Sequence, residues 1–155
     1  MNTLQPERIF VTIEIINGEF MEEENNLSAL QVGDIIQTTY NSGTYVVKII
    51  QDKGNYILVE TLGVLKHPQQ GDLHNPGQAE GVAFHERKAL AHHEKFNARK
   101  RHAKAFEGEV PSYAASLQQA VESYKQELQQ EDTLFNQKAL ERIADLEEHY
   151  YHKIY

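Results

Sequence analysis

The sequence predicts an α+β protein in which a small β-barrel is followed by an antiparallel α-helical hairpin. Three observations predict this fold: runs of β-branched residues in the first half of the chain, Gly-bearing turns between them, and a change to helical periodicity after residue 110. The 155 residues are 40% hydrophobic and 25% charged, an ordinary globular balance. We expect an acidic N-terminal extension at 1–26, the barrel at 27–110 and the hairpin at 111–155.

Residues 35–40, 44–50 and 56–65 predict three strands joined by tight turns at 41–43 and 52–55, which is typical of an antiparallel meander. The second strand has apolar residues on both faces. One face carries Tyr45, Val47 and Ile49, and the other carries Val46 and Ile50. A barrel whose outside is partly covered by another element explains this pattern better than an open sheet does.

The β pattern resumes at residues 82–85, which we expect to close the barrel. Residues 88–106 fit two interpretations. One is a strand continuing to about His93 and then an irregular basic segment, which we favour. The other is a helix with one face formed by Ala89, Leu90, His93 and Phe96.

The C-terminal residues predict two amphipathic helices. Ser112 is the expected N-cap of the first helix, and the Glu131-Asp132-Thr133 interruption offers the N-cap of the second. The first apolar stripe is Leu117, Val121, Tyr124 and Leu128, and the second is Phe135, Ala139, Ile143, Leu146 and Tyr150. A two-helix hairpin cannot bury its stripes alone, so we expect it to pack on the barrel.

The start of the chain carries a separate hypothesis. Met21-Glu22-Glu23-Glu24 has the composition of a solvated protein start, and Gly18-Glu19 can be encoded by a purine-rich ribosome-binding sequence. We therefore expect Met21 to be the true first residue and 1–20 to be translated leader. An additional strand at residues 9–16 is the alternative.

Composition excludes several classes of function. There is no Cys, which removes disulfides, thiolate metal sites, Cys nucleophiles and any lipid-modified Cys within this sequence. The formal net charge of −8 argues against wholesale binding to nucleic acid or anionic lipid. The phosphate-loop, dinucleotide and nucleophile-elbow motifs are absent, and His85-Glu86 does not extend to H-E-x-x-H because Ala89 occupies the second ligand position.

Residues 65–90 hold three His, two Pro and three Gly, and form the most informative stretch of the sequence. Their polar side chains could pin a long loop by satisfying its backbone groups, which is the interpretation we favour. A metal-dependent hydrolase with His67, Asp72, His74, His85 and Glu86 as ligands is the alternative, but their spacing matches no known metal signature. We predict no metal and no cofactor.

A basic run at residues 87–104, with Phe96 and Phe106 nearby, permits another interpretation, a nucleic-acid-binding small barrel. The competing explanation is a solvated face that pairs with the acidic helices. Because the chain as a whole is acidic, we keep nucleic-acid binding as the alternative function.

Several segments together resemble the kinase-associated protein B family of spore-forming Gram-positive bacteria, also called kinase-associated lipoprotein B. They are Val32-Gly33-Asp34-Ile35, Tyr40 to Tyr45, Val64-Leu65-Lys66-His67-Pro68, Gln70-Gly71-Asp72-Leu73-His74-Asn75-Pro76, Phe84-His85-Glu86-Arg87-Lys88-Ala89-Leu90 and Gly108-Glu109-Val110-Pro111-Ser112-Tyr113. The resemblance covers residues 30–151 and implies an SH3-like barrel followed by a helical hairpin.

The resemblance also implies a function. It indicates a non-enzymatic accessory protein that acts with a membrane-bound sporulation sensor histidine kinase and promotes the passage of phosphate into the phosphorelay. Without a Cys for a lipid anchor, we expect a cytoplasmic protein that reaches the membrane through its partner. No catalytic residue is predicted. The predicted partner-binding residues are Tyr40, Tyr45, Lys66, His67, Asp72, His74, Asn75, Phe84, His85, Glu86 and Arg87.

Overall fold

The computed structural model describes residues 30–155 and, before them, only two short paired strands, β1 (Ile15–Ile16) and β2 (Glu19–Phe20). The hypothesis of a start at Met21 lies outside the described residues, and of the alternative strand at 9–16 only Ile15–Ile16, which form β1, are described. Of the helices that the structure describes, none is both long enough and apolar enough to span a bilayer.

A five-stranded antiparallel sheet forms the first layer of the fold. Its strands are β3 (Ile35–Tyr40), β4 (Gly43–Asp52), β5 (Tyr56–Lys66), β6 (Lys95–Arg99) and β7 (Lys104–Ala105). The order across the sheet is β6-β5-β4-β3-β7. The predicted meander is confirmed by antiparallel ladders that join β3 to β4 and β4 to β5.

Glycine or asparagine permits each tight turn of the meander. Asn41 has φ 52° between β3 and β4, and Gly54 has φ 92° between β4 and β5. These left-handed conformations are disfavoured for most residues with a Cβ but are accessible to Asn and Gly. The Asp52 carboxylate accepts from the Gly54 N–H at 2.9 Å and fixes the second turn.

The prediction that residues 82–85 form the closing strand is wrong. These residues lie in no strand, and within the described part of the chain no ladder joins β6 to β7, so the sheet is not closed. The segment instead bonds to the preceding part of its own loop, where the Gly71 N–H donates to the His85 carbonyl at 2.9 Å. This hydrogen bond within the loop satisfies the His85 carbonyl, which a neighbouring strand would otherwise do.

The favoured interpretation of residues 88–106, a strand to about His93 and then an irregular basic segment, is wrong, because residues 88–94 lie in no strand. Strand β6 begins at Lys95, inside the segment we expected to be irregular, and pairs with β5 from Tyr56 to Glu60. Phe96 and Ala98 are buried while their neighbours are exposed. This is a period-of-two pattern, hidden in the sequence by the basic residues around it.

Two helices follow, α1 (Tyr113–Gln129) and α2 (Leu134–His149). Both predicted N-caps are confirmed: Ser112 Oγ accepts from the Ala115 N–H at 3.2 Å, and Thr133 Oγ1 accepts from the Asn136 N–H at 3.1 Å. The predicted stripes are buried at Leu117, Val121, Tyr124, Leu128, Ala139, Ile143 and Leu146. Tyr150 is 45% exposed and does not extend the second stripe into the core.

Helix α1 packs directly on β5. The Val64 N–H lies beside a register irregularity of the ladder, and it donates to Ser116 Oγ at 2.9 Å. A Cβ on Gly63 would lie 3.2 Å from that oxygen, so the absent side chain lets the helix approach the strand. The core therefore lies between the sheet and the hairpin, as the amphipathic stripes predicted.

Candidate functional site

The crossover loop, residues 67–94 between β5 and β6, contains most of the predicted site and is fixed first by His67. This side chain is only 1% exposed. Its Nδ1 lies 2.8 Å from the Pro68 carbonyl, which can only accept, so Nδ1 carries the proton. Nε2 therefore accepts from the Tyr151 hydroxyl at 2.7 Å. Burial lowers the pKa of His67 to about 4, which keeps the ring neutral.

Two aromatic rings, one from α1 and one from the residues that follow α2, pack against the His67 ring. The Tyr124 ring of α1 stacks on it at 5.7 Å, and the Tyr151 ring just after α2 meets it edge-on at 5.8 Å. The Tyr151 oxygen also accepts from the Ala89 N–H at 3.0 Å. One tyrosine hydroxyl thus links the two ends of the crossover loop to the C-terminus of the hairpin.

Gln70 joins the two halves of the crossover loop. Its Oε1 accepts from the Arg87 N–H at 2.8 Å, and its Nε2 donates to the Arg87 carbonyl at 2.8 Å. Its own N–H donates to the Tyr124 hydroxyl at 3.0 Å. The Arg87 guanidinium donates in turn to the Gly71 carbonyl. Pinning of the loop, the role we favoured for its His, Asp and Glu side chains, is confirmed for His67, and the structure adds Gln70 and Arg87 to that role.

The middle of the loop forms a self-contained polar turn. The Asp72 carboxylate accepts from the His74 N–H and from the Asn75 side-chain amide, each at 2.9 Å. These hydrogen bonds, Asn75 first, lower the pKa of Asp72. The part of the loop that follows this turn contacts α2, because Lys138 Nζ donates to the Ala79 carbonyl at 2.7 Å.

Phe84 attaches the outgoing half of the loop to α2. Its ring meets the Phe135 ring edge-on at 5.4 Å. A Cβ on Gly71 would lie 3.0 Å from both rings, and Gly71 has φ 95°. Gly71 is therefore required both for the backbone conformation and for the closeness of loop and helix.

A groove opens where the pinned loop meets the β3–β4 turn. It has a volume of about 140 Å³ and is lined by Tyr40, Asn41, Tyr45, Pro68, Arg87, Lys88 and Leu90. We call this the Tyr40 groove. Tyr40 is 41% exposed, whereas Tyr45 is 1% exposed and its hydroxyl accepts from the Leu90 N–H at 3.3 Å. Tyr45 thus forms the floor of the groove, and Tyr40 forms an accessible wall.

Two of the residues that line this groove, Arg87 and Lys88, are cationic. Lys88 is exposed, and its ammonium lies 4.3 Å from the centroid of the Tyr150 ring, a cation–π geometry. Arg87 is half-buried and held by its bond to Gly71. An aromatic wall with two cations suits an amphipathic or acidic protein segment.

The structure unites only part of the predicted site. Tyr40, Tyr45 and Arg87 meet in the groove. Lys66 lines a different cavity, beside α1. Asp72, His74 and Asn75 form the polar turn, Phe84 packs on α2, and His85 and Glu86 are exposed. His67 is buried, so it shapes the site and cannot touch a partner.

Sequence reasoning missed Asn41, Pro68, Lys88 and Leu90 as groove residues, and Tyr124 and Tyr151 as anchors of the loop. Lys88 could have been found from its place beside Arg87. The two tyrosines gave no signal of this role, since their hydroxyls act across long sequence separations.

The five residues considered as metal ligands do not come together. Among residues 30–155, the group that has ligand atoms close enough for one ion is Asp145, Glu148 and His149 on α2, and it includes none of the five. His67 has both ring nitrogens engaged in hydrogen bonds. This part of the chain gives no support to a metal-dependent hydrolase.

Comparison with known proteins agrees with this architecture. Residues 40–151 match the family described as Kinase associated protein B. The chain is 35% identical over 127 residues to Kinase-associated lipoprotein B of Bacillus subtilis (strain 168), covering 82% of this chain and 99% of that protein. The crystal structure of kinase-associated protein B from Bacillus cereus superposes with a TM-score of 0.66 at 29% identity, over 78% of this chain and 97% of the other. The chain belongs to the kinase-associated protein B family.

Proposed function

We propose that this protein is a non-enzymatic accessory protein that binds a sporulation sensor histidine kinase through the Tyr40 groove and promotes phosphorelay signalling. Membership of the family supports an accessory role linked to a kinase. We propose in addition that the kinase is a sporulation sensor kinase, that this kinase lies in the membrane, and that binding promotes the phosphorelay. The protein acts in the cytoplasm and reaches the membrane by holding its partner.

The observation that carries the proposal is the way the crossover loop is built. Buried hydrogen bonds from His67 and Gln70 fix the loop, yet its ordered outer surface ends in an accessible groove with Tyr40 and Lys88. A preorganised aromatic and cationic surface binds a protein segment with less loss of conformational entropy than a mobile loop. The hydrogen bonds that fix the crossover loop would therefore favour binding of a partner as well as stabilise the fold.

The sheet supports the same proposal. Its order, with a short 3₁₀ helix at Lys100–His102 between β6 and β7, fits a partly open SH3-like barrel. Barrels of this kind bind extended segments in aromatic-lined grooves. Helix α1 packs on β5, and the Tyr40 groove beside the crossover loop stays open to a partner.

Two exposed substitutions test the groove. Tyr40→Ser and Lys88→Glu should each weaken capture of the detergent-solubilised histidine kinase by roughly tenfold, because recognition aromatics and charges at a docking surface contribute about 1–3 kcal/mol. Leu134→Ser is the control, since Leu134 is 45% exposed on α2 and away from the groove. Unchanged capture by both groove variants would place the kinase contact elsewhere.

Signalling is measured separately with purified kinase in vesicles. Addition of the protein should raise the rate at which phosphate reaches the response regulator, and Tyr40→Ser should require about tenfold more protein for the same increase. If the protein binds the kinase but the rate does not change, promotion of the phosphorelay is wrong while docking stands.

A further inference from the structure

A second groove lies at the opposite end of β5 from the crossover loop. It has a volume of about 420 Å³ and is lined by Asn55, Tyr56, Arg99, Lys100 and Arg101. We call this the Arg99 groove. Tyr56 and Arg99 are partners in the β5–β6 ladder, and the guanidinium lies 5.8 Å from the centroid of the Tyr56 ring. Tyr56 is 42% exposed, so a large aromatic surface is available to a ligand.

The charge of this groove contrasts with that of the whole chain. Residues 95–104 include five Lys or Arg and no acid, although the protein has a formal net charge of −8. Lys100 Nζ is paired with the Asp52 carboxylate at 2.7 Å. Within residues 30–155, Arg99 and Arg101 have no such ion pair. The Arg99 guanidinium therefore lies beside the aromatic ring, Arg101 lines the same groove, and the donors of both are available.

The groove is held in place by backbone contacts. The Lys100 N–H donates to the Asn55 carbonyl at 3.0 Å and ties the 3₁₀ helix to the β4–β5 turn. Asp52 fixes that turn through the Gly54 N–H while it holds Lys100. Lys100 thus stabilises the groove through these contacts, while the Arg99 and Arg101 side chains stay available to bind a ligand.

We propose that the Arg99 groove binds an acidic peptide segment of a protein partner, with carboxylates on Arg99 and Arg101 and an apolar side chain on the Tyr56 ring. Guanidinium groups form bidentate hydrogen bonds with carboxylates, and clusters of Arg are a recurring means of recognising acidic motifs. The proposal rests on the protein-binding function proposed above and assigns it a second contact.

Peptide is favoured over nucleic acid by the extent of the positive patch. Non-specific binding of nucleic acid requires a basic track that neutralises many phosphates. Here the run is bounded in the sequence by Glu94 on one side and by Glu107 and Glu109 on the other, and Asp52 lies within it in space. Two unpaired guanidiniums match a short segment with a few carboxylates.

The test uses the full chain and a fluorescein-labelled peptide that alternates Glu with Phe, followed by fluorescence anisotropy. The control ligands are the same peptide with every Glu replaced by Gln, and a labelled oligothymidylate. The groove variants are Arg99→Glu, Arg101→Glu and Tyr56→Ser, with Arg99→Lys as the conservative change. Lys153→Glu is the matched charge reversal at an exposed position outside the groove.

We expect the Glu peptide to bind, the Gln peptide to bind at least about tenfold more weakly, and each Arg→Glu change to reduce affinity by about tenfold. Arg99→Lys should retain part of the affinity, and Lys153→Glu should leave it unchanged. No binding of the Glu peptide, an equal loss in Lys153→Glu, or tighter binding of oligothymidylate through the same residues would overturn the proposal.

Tyr40→Ser separates this proposal from the proposed function. It should leave affinity for the Glu peptide unchanged while it weakens capture of the kinase. If the unmodified protein captures the kinase but does not bind the Glu peptide, the proposal for the Arg99 groove is wrong. If Tyr40→Ser captures the kinase as well as the unmodified protein does, the proposal for the Tyr40 groove is wrong.

Discussion

Gln70 and Arg87 bond to each other as two peptide units of neighbouring strands do, although neither residue lies in a strand. The Gln70 side-chain amide both donates to and accepts from the Arg87 backbone, at 2.8 Å in each direction. A side chain thus supplies the pairing that an additional strand would have supplied. This contact holds the crossover loop closed beneath the Tyr40 groove.

Gln70→Ala should lower the free energy of unfolding by about 2–4 kcal/mol, because it leaves two backbone groups of Arg87 without partners in a partly buried position. Denaturant titration measures the effect, and hydrogen exchange should show faster exchange of the Arg87 amide. Gln69→Ala is the matched neighbour, since the hydrogen bond to Ser42 Oγ at that position comes from the backbone. Equal midpoints for the two variants would show that the loop is held by other contacts.

The sequence predicted the elements whose signals are local. The β-branched runs gave β3 to β5, and the caps at Ser112 and Thr133 gave the starts of both helices. Strand β6 was missed because Lys95 and Arg99 dilute its alternation and because its partner β5 lies a whole loop earlier in the chain. The pairing of two strands that are far apart in the sequence cannot be predicted from the residues around either strand alone.

The site was predicted less completely than the fold. Tyr40, Tyr45 and Arg87 do meet, but composition could not show that Tyr45 and His67 are buried. The burial of His67 depends on Tyr124 and Tyr151, which follow it by more than fifty residues. A buried neutral His and an exposed ligand His have the same local sequence context.

Tyr151→Phe tests the connection between the crossover loop and the hairpin. It removes one hydroxyl and leaves both His67 Nε2 and the Ala89 N–H without a partner in a buried environment. We expect a loss of about 2–4 kcal/mol in the free energy of unfolding, measured by urea denaturation. Tyr150→Phe, at the adjacent exposed position, should change stability by less than about 0.5 kcal/mol. Similar losses for both would contradict the hydrogen-bonded anchor.

Gly71→Ala and Gly77→Ala separate backbone strain from crowding. Both glycines have positive φ, 95° and 79°, but a Cβ at Gly77 meets no atom within 4 Å. Gly77→Ala should therefore cost about 1–2 kcal/mol from backbone conformation alone. At Gly71 the added Cβ also meets Phe84 and Phe135, and overpacking adds about 1–3 kcal/mol. Thermal denaturation of the two variants compares the costs, and equal shifts would show that the loop yields freely at Gly71.

Stability should fall as the pH falls from about 6.5 to about 4, because the pKa of His67 drops from its ordinary 6.5 to about 4 in the folded protein. In this window the unfolded chain binds a proton that the folded protein excludes, so protonation favours unfolding. The full stabilisation is present above pH 6.5, and up to about 3 kcal/mol is lost by about pH 4. Tyr124 and Tyr151, which face the ring, stay neutral in this range because the ordinary pKa of tyrosine is 10.0, and burial raises the pKa of each still further.

His67→Asn removes the titrating group while keeping a donor towards the Pro68 carbonyl. It should lower stability at pH 7 and flatten the dependence between about pH 6.5 and pH 5, a range in which few carboxylates titrate. His92→Asn is the control, because the pKa of exposed His92 is lowered by desolvation and by His93 in the same direction, without a buried site. Denaturant titrations at several pH values measure the slope. A slope that persists in His67→Asn but disappears in His92→Asn would assign the pH dependence to the exposed histidine.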